Sequence, residues 1–455
     1  MAFMTNFQSH TRSLPGRYTV SAYVLLFVVA FSVSCSKKEK AEPQATSYSH
    51  GDSTTALTST APLIDETVSA PTTVKWWHFW TDPSIKPTID EIVADFEKQN
   101  PNIKIEQTEL TWNNGHEKIA IALSSKTGPD LLELGSDWIP EFVAANRITD
   151  VTANLKPFYD QYTGWDPVRN NGALYGIPWI LGTRVMYYNS DLLLQAGFDS
   201  LYIPLDLTQF KEAAYKVDSL GKDIYGWGSN SAEKHRLYKK FLPFFWTYGA
   251  SFYSLNNEYC VISSMEAGKA LTYYKELNDS CAMIDTQRRL EDAFLADKIG
   301  CVLSGDWLLK RIRKEKPDFN FVTGLFPGQS GAGRSFLGGE YLVVNKDSDN
   351  KGAALKFAKF LTSKENELKF CKANFSANPS NVEATKDPFF TNDPYLMTFV
   401  KQLKLSKAPP FEPKWVYIED EFEQAVERTL FEGMGPFESL SIARAKIQQI
   451  SRGKE

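Results

Sequence analysis

The sequence predicts an α/β protein built from two lobes, and three observations lead to this prediction. Residues 74–135 alternate short apolar strands with amphipathic helices, an order that produces a parallel sheet with helices on its faces. Residues 190–297 are mostly helical in pattern. Strand patterns return at 298–344, before a second helical stretch at 350–455. This interleaving indicates two lobes, each assembled from segments that are not consecutive in the chain.

The first strand is predicted at 74–80, where alternation puts Trp76 and His78 on the face opposite to Trp77. We expect at least one Trp of this strand to lie in the core. The helix that follows has apolar residues on one face of a 3.6-residue period. They are Ile85, Ile89, Ile92, Val93 and Phe96. Asn100-Pro101 ends the helix.

A strand near Ile103, a helix at 116–125 and a buried strand at 130–134 complete the parallel unit. Ligands of such sheets bind beyond the carboxyl ends of the strands. The segments in that position are His78–Asp82 and Gly135–Trp138, and both contain a Trp and an Asp. The pattern of the middle of the chain predicts helices at 208–220, 236–249, 264–278 and 288–297, followed by strands at 299–303, 319–323 and 341–345.

The composition of the 455 residues is that of an ordinary globular protein, with 43% hydrophobic and 23% charged residues. It excludes collagen, a coiled coil and wholesale disorder. A net charge of −5 gives no basic surface for nucleic acid. The five Cys include no C-x-x-C pair, so we expect no metal site and no cofactor. Aromatic residues reach 13%, with 11 Trp, which suits a site that stacks flat ligands.

Residues 1–34 have the pattern of an export signal, because Arg12 and Arg17 precede an apolar run. The run is shorter than the ~20 residues that a membrane span requires. It ends at Ser32-Val33-Ser34-Cys35, which is similar to a bacterial lipoprotein signal, although Ser32 stands where Leu or Val is usual. We expect cleavage before Cys35 and lipidation of that residue. A plain secretory signal or an uncleaved anchor is the alternative.

Residues 35–73 are rich in Ser, Thr, Ala and Pro and have no hydrophobic period. Such a segment is expected to be a flexible tether. The folded body would then begin at Val74. A lipid at Cys35 and a tether of this kind would hold the body outside the cytoplasm, facing the periplasm or the cell exterior, close to a membrane.

Six segments of the body, in order along the chain, resemble one known family. They are Phe96–Ile103, Thr127–Leu131, Leu174–Leu192, Phe294–Trp307, Gly338–Val344 and Ala354–Ser363. The resemblance is to the extracellular solute-binding proteins of bacterial ABC transporters, and among them to the sugar-binding group that includes maltose-binding protein. Asp297 stands where the family usually has Gly, and Cys301-Val302 where it has Ala-Met.

The resemblance implies a type II periplasmic-binding-protein fold with a ligand cleft between discontinuous lobes. The N-terminal lobe is expected to comprise 74–184 and 298–346, and the mostly helical C-terminal lobe 185–297 and 347–455. The lobes would close on a mono- or oligosaccharide and deliver it to the membrane permease of an ABC importer. It also implies a monomer that catalyses no reaction and binds no nucleic acid.

A sugar has apolar C–H faces, which aromatic rings cover, and hydroxyl groups, which carboxylates, Arg and backbone groups bind. The sequence offers such residues at strand ends and in the segment that crosses between the lobes. The predicted ligand contacts are Trp80, Asp82, Asp137, Trp138, Trp179, Arg184, Tyr187, Trp246, Asp306, Trp307, Gly339, Glu340 and Trp415. Gly305-Asp306-Trp307 is the best single motif, since a flexible strand end, an acceptor and a ring follow one another.

Structural alternatives exist for several of these residues. Asp82 and Asp137 could cap helices, Arg184 could form an ion pair between the lobes, and Gly338-Gly339 could mark only a bulge. Phe244 and Phe245 are expected in the core.

Other functions remain open from the sequence alone. The same fold could bind a polyol, a peptide or a polyamine, since a cation is also attracted to aromatic rings. An exported glycosidase needs two carboxylates ~5–10 Å apart, and no spacing singles out such a pair. A structural surface lipoprotein is a further alternative. Cys260 and Cys281 could form a disulfide in an oxidising compartment, whereas Cys301 and Cys371 are expected to be buried thiols.

Overall fold

The computed structural model describes residues 57–234, 236–254, 259–375 and 378–453. The predicted export signal and Cys35 lie outside these residues. Within the described ranges, no helix combines the length and apolar character needed to cross a membrane.

The strands alternate with helices along the described chain. The strands are β1 Thr72–His78, β2 Ile103–Glu109, β3 Leu131–Gly135, β4 Arg169–Asn170, β5 Ala173–Leu174, β6 Ile177–Gly182, β7 Val185–Asn189, β8 Tyr225–Ser229, β9 Ala282–Ile284, β10 Ile299–Ser304, β11 Phe321–Gly324, β12 Ser335–Phe336, β13 Gly338–Val344 and β14 Ser406–Lys407.

The helices are α1 Lys86–Gln99, α2 Gly115–Ser124, α3 Ile139–Ala144, α4 Thr152–Leu155, α5 Ser190–Gln195, α6 Leu207–Asp218, α7 Leu237–Thr247, α8 Met265–Cys281, α9 Gln287–Leu295, α10 Asp306–Glu315, α11 Lys351–Leu361, α12 Lys364–Asn374, α13 Pro388–Thr391, α14 Pro394–Leu403, α15 Trp415–Phe431 and α16 Pro436–Ser451. Short 3-10 helices occupy Lys156–Gln161, Asp166–Val168 and Ala384–Lys386.

The first lobe is built on a sheet with the strand order β2-β1-β3-β13-β6. Its first three strands are parallel, as the βαβαβ pattern predicts; β13 pairs antiparallel with β3, and β6 pairs antiparallel with β13 and forms the edge. In β1, Trp76 and His78 are buried and Trp77 is half-buried, which confirms the predicted alternation. In α1, the predicted face is the buried one. The sheet core therefore follows from the hydrophobic period.

The second lobe is built on a sheet with the order β11-β7-β10-β8-β9. Helices α6 and α8 pack on this sheet, and α7, α15 and α16 pack on α8. They agree with the predicted helices, and Phe244 and Phe245 of α7 are fully buried, as expected.

Three segments cross between the sheets, and side chains hold them together. The first crossing lies between β6 and β7 at Thr183 and Arg184. The Thr183 hydroxyl lies 2.6 Å from that of Ser406, and Ser335 donates to the Arg184 carbonyl. Strands β12 and β14 pair beside them. These contacts define a hinge region, and Arg184 belongs to it.

The expected lobe boundaries are wrong in two places. Strands β10 and β11, expected in the N-terminal lobe, belong to the second sheet. Helices α11 and α12, expected in the C-terminal lobe, pack on the first sheet and on α1. Both errors arise because a strand or helix pattern shows that an element forms but not which sheet it joins.

The expected tether is also too long. From residue 57 the chain lies against the first lobe, where the Ile64 backbone exchanges two 2.9 Å hydrogen bonds with the Asn154 side chain. Glu66 accepts from Asn154 and Lys359. Polar composition did not reveal this docking, because it uses backbone groups and a few side-chain hydrogen bonds rather than an apolar face. Cys260, Cys281, Cys301 and Cys371 are all buried free thiols, so Cys260 and Cys281 form no disulfide in this structure.

Candidate functional site

Aromatic rings cluster at the carboxyl ends of the three parallel strands. Phe79 follows β1, Trp112 follows β2 and Trp138 follows β3; we call these three residues the aromatic platform. The Phe79 and Trp112 rings stack with centroids 4.1 Å apart, and the Trp138 ring lies 5.3 Å from Trp112. Trp112 remains 47% exposed. The platform therefore offers an accessible ring surface at the sheet edge where ligands of parallel sheets bind.

Two carboxylates stand beside the platform. Asp137 directly precedes Trp138, and Glu340 in β13 lies opposite Gly135 of β3 in the sheet register. Gly339, next to Glu340, has φ +144°, and a Cβ there would lie 2.4 Å from the Ile180 carbonyl oxygen. Only glycine fits this position. The register of β13 also shifts between Glu340 and Tyr341, so the bulge considered for this segment is present.

The second lobe contributes Asp306 and Trp307 at the end of β10. A Cβ on Gly305 would lie 2.0 Å from the Trp307 ring, so the glycine lets this ring fold back over the strand end. Trp307 is 36% exposed. The Arg184 guanidinium lies over its ring, 4.4 Å from the centroid, which is cation–π geometry. The predicted Asp-Trp motif thus presents a ring that Arg184 partly covers.

Two side chains of α7 reach Asp137 across the site. The Lys239 ammonium donates to the Asp137 carboxylate at 2.7 Å, and the Tyr238 hydroxyl donates to it at 3.2 Å. Asp137 belongs to the first lobe and α7 to the second, so these bonds join the lobes. Asp137 does not cap α3, whose amino-terminal end has no side-chain cap.

The electrostatics of this cluster follow from burial and from neighbouring charges. Burial raises the pKa of Asp137, but the charge and hydrogen bond of Lys239 outweigh it, and the net pKa is lowered. Burial, followed by the negative charge of Asp306, raises the pKa of Glu340 to about 8. Burial lowers the pKa of Arg184 to about 10. With a pKa of about 8, Glu340 is largely protonated at neutral pH and then donates as well as accepts, which suits hydroxyl groups.

Four predicted contacts lie in the cores instead. Trp179 is 1% exposed and packs on Trp76 and Phe370 of the first lobe. Trp415 is 2% exposed and packs edge-on against Phe252. Trp246 and Tyr187 are also buried, and the Tyr187 hydroxyl donates to the Gly305 carbonyl. The three Trp residues were misassigned because a Trp near a strand or helix end can point to either face, and sequence does not distinguish them. Tyr187 lies within β7, which is buried along its whole length.

Two predicted contacts lie at the margin of the site. Trp80 is half-buried and packs edge-on against Trp179 and Phe370. Asp82 is exposed, accepts from the Ser84 backbone and hydroxyl, and pairs with Lys310 of α10 at 3.4 Å. It does not cap α1, whose amino-terminal end has no side-chain cap, so the capping alternative is wrong for Asp82.

Sequence reasoning missed Trp112, Tyr238 and Lys239. A signal for Trp112 was available, since it follows the second parallel strand just as Trp80 and Trp138 follow the others. Lys239 and Lys240 gave no such signal, because Lys residues in a helical pattern usually indicate a solvated face. Only the tertiary structure shows that Lys239 faces Asp137 and that the Lys240 ammonium is buried and donates to the Leu303 carbonyl.

The two sheets, the hinge region and the polar, aromatic site between them define a two-lobed binding protein of the periplasmic type. The family model described as "Bacterial extracellular solute-binding protein" matches residues 91–398, which is more than half of the chain. The chain therefore belongs to this family, and the fold class predicted from the sequence is confirmed.

Individual relatives agree with this assignment. A putative binding protein of Brucella abortus is 26% identical, over 80% of this chain and 90% of its own. A maltooligosaccharide ABC transporter solute-binding lipoprotein of Streptococcus pneumoniae is 22% identical, over 74% of this chain and 79% of its own. The sugar-binding protein MalE of Xanthomonas citri has a similar structure, with a TM-score of 0.76, 24% identity and coverage of 84% of this chain and 98% of that one.

Proposed function

We propose that this protein is the substrate-binding component of an ABC importer and captures a sugar between its lobes. The observation that carries the proposal is the aromatic platform beside Asp137 and Glu340, with Arg184 and Trp307 on the other side of the site. Rings of this kind cover the C–H faces of a sugar, and the carboxyl and guanidinium groups bind its hydroxyls. Relatives named for maltooligosaccharide and galactooligosaccharide binding support this ligand class.

The cellular context of the proposal follows from the family and from the sequence. The family is extracellular by description, and a relative is named as a lipoprotein. We propose that Cys35 carries a lipid, that the monomer is held at a membrane facing the periplasm or the cell exterior, and that the closed form delivers its ligand to permease subunits.

The proposal is tested by thermal unfolding of the protein with mono- and oligosaccharides, polyols, peptides and polyamines. A ligand present at 100 times its Kd adds ~2.7 kcal/mol to the free energy of unfolding, which raises the midpoint. We expect one class of sugar to do so. If a polyamine or a peptide raises the midpoint and no sugar does, the protein can still be the binding component of an importer, but the proposed ligand class is wrong.

We also propose that the protein catalyses no reaction on its ligand. The matched family is one of binding proteins, and the site binds hydroxyls without requiring a reaction. A sugar that raises the midpoint should be recovered intact after long incubation with the protein. Cleavage of a glycosidic bond, abolished in Asp137→Asn or Glu340→Gln, would assign the site to a glycosidase instead.

A further inference from the structure

A buried carboxylate holds the indole of Trp307. Glu291, in α9, is 2% exposed. Its Oε1 atom accepts a hydrogen bond of 2.7 Å from Trp307 Nε1, and further bonds from the Ser304 hydroxyl and the Gln287 amide. Its Oε2 atom accepts from the Arg311 guanidinium at 3.1 Å. Four donors from three elements thus converge on one side chain.

The chemistry of this position favours a carboxylate. Each of the four neighbours presents an N–H or O–H group, and an ionised carboxylate has only acceptors. The Arg311 charge compensates the buried charge, and Arg311 also pairs with Asp292 and Glu315. An apolar side chain at position 291 would remove the acceptor of the partly buried Trp307 N–H and so destabilise this orientation of the ring.

The bond to Glu291 fixes which way the Trp307 ring faces. The ring folds over Gly305, its N–H donates to Glu291, and 36% of the residue remains exposed. Arg184 lies on the same ring, 4.4 Å from its centroid. A rotation of the indole would therefore move both the ring surface and the support of the guanidinium.

We propose that Glu291 is a positioning residue for the ligand site, acting through the Trp307 indole and the Arg184 guanidinium stacked on it. This role rests on the proposed function for its ligand, but the positioning itself is a property of the protein without ligand. Glu291 touches no ligand. It sets the position of the Trp307 indole and the Arg184 guanidinium, and these two groups contact the ligand.

The ligand-free test follows the Trp307 indole N–H by NMR of the 15N-labelled protein. Its signal is the one that disappears in Trp307→Phe. In Glu291→Met, a side chain of similar length without an acceptor, we expect the exchange of this N–H with solvent to rise about tenfold. Unchanged exchange and unchanged chemical shift in Glu291→Met would overturn the proposal.

Two matched variants separate positioning from a general structural effect. Glu291→Gln keeps an acceptor for Trp307 and loses the charge opposite Arg311, so it should retain slow exchange. Asp292→Asn removes the charge of another Arg311 partner, at 2.6 Å, without contact to Trp307, and should leave exchange unchanged. Fast exchange in Asp292→Asn as large as that in Glu291→Met would make the Arg311 ion pairs, not Glu291, the cause.

The binding test uses maltotetraose and a double-mutant cycle. Glu291→Met should weaken binding about tenfold in the wild-type background and have little further effect in Trp307→Phe, whose ring has no N–H. Additive losses would contradict action through Trp307. If Glu291→Met does not fold, Trp307→Phe alone should weaken binding because the ring loses its fixed orientation. If the wild-type protein does not bind maltotetraose, the proposed function fails for this sugar, whereas the indole exchange still decides the role of Glu291.

Discussion

Lys239 of the second lobe donates a 2.7 Å hydrogen bond to Asp137 of the first, directly beside the aromatic platform. Tyr238 donates to the same carboxylate oxygen. This oxygen thus already accepts two hydrogen bonds from the opposite lobe, in the position where we propose that a ligand hydroxyl binds. Under the proposed function, closure of the lobes and capture of the ligand involve this one carboxylate, and changes to its partners should affect both.

Lys239→Met should favour opening of the lobes. The ion pair is mostly buried, with both side chains 20% exposed, and a hydrogen bond between charged groups is worth about 1.5–3 kcal/mol. We expect small-angle scattering to show a larger radius of gyration for this variant than for the wild-type protein. Identical scattering curves would show that the bond does not hold the lobes together.

Lys310→Met is the matched control, since it also removes an ion pair between the lobes. Lys310 and Asp82 are 36% and 50% exposed and 3.4 Å apart, so the pair contributes at most ~1 kcal/mol. Scattering should change little. A larger increase in the radius of gyration than in Lys239→Met would show that the Lys310–Asp82 pair holds the lobes together more strongly than the Lys239–Asp137 pair.

Glu340 should make the protein less stable as the pH rises. Burial, with the charge of Asp306 second, raises the pKa of Glu340 from 4.5 to about 8. A raised folded-state pKa gives stability that is complete below the unfolded value and is lost as the pH approaches the folded value. Glu340→Gln removes this titration. We expect the unfolding midpoint of the variant to rise relative to the wild-type midpoint as the pH increases from 4.5 to 8. Above pH 8 the difference should stay constant. A constant difference across this window would contradict the raised pKa.

The two sheets were largely predictable because their strands and helices carry regular apolar periods. The face of β1 that buries Trp76 follows from alternation alone, and so does the buried face of α1. The assignment of each helix and strand to one of the two lobes did not follow from these periods. Helix α11 has an apolar face that either lobe could cover, and its packing on the first sheet depends on the crossing between β11 and β13, which returns the chain to that sheet just before α11.

The candidate site divides in the same way. Asp137 and Trp138 lie where strand ends predict them, since parallel strands bring their carboxyl ends to one edge. Glu340 reaches the same edge from the amino end of β13, because β13 is antiparallel to β3. Trp179 and Trp415 were misplaced because a large aromatic side chain serves a core as well as a binding surface. Lys239 was not predictable, because its role depends on a contact between residues 102 positions apart.

Trp112→Ala should weaken sugar binding with little loss of stability. Trp112 is 47% exposed, so its removal leaves no large cavity, whereas truncation of a central aromatic contact typically costs at least ~1–2 kcal/mol of binding free energy. Calorimetric titration with the sugar identified by thermal unfolding measures the loss, expected to be about tenfold. Trp179→Phe is the control: it should lower the unfolding midpoint and leave affinity unchanged. Unchanged affinity in Trp112→Ala with weakened binding in Trp179→Phe would indicate that the ligand contacts Trp179 and not the aromatic platform.

Gly305→Ala should displace the Trp307 ring. The backbone of Gly305, with φ −93°, is open to alanine, but the added Cβ would lie 2.0 Å from the ring. The ring must swing away and leave Glu291, at a cost of about 1–3 kcal/mol in stability, and sugar affinity should fall. Gly435→Ala is the matched control, because Gly435 also begins a helix with negative φ and a Cβ there meets nothing within 4 Å. Urea unfolding and titration of both variants should show loss only in Gly305→Ala. Equal losses of stability in both variants would mean that the start of a helix requires glycine, whatever the position of the Trp307 ring. Unchanged affinity in Gly305→Ala would show that Trp307 does not contact the ligand.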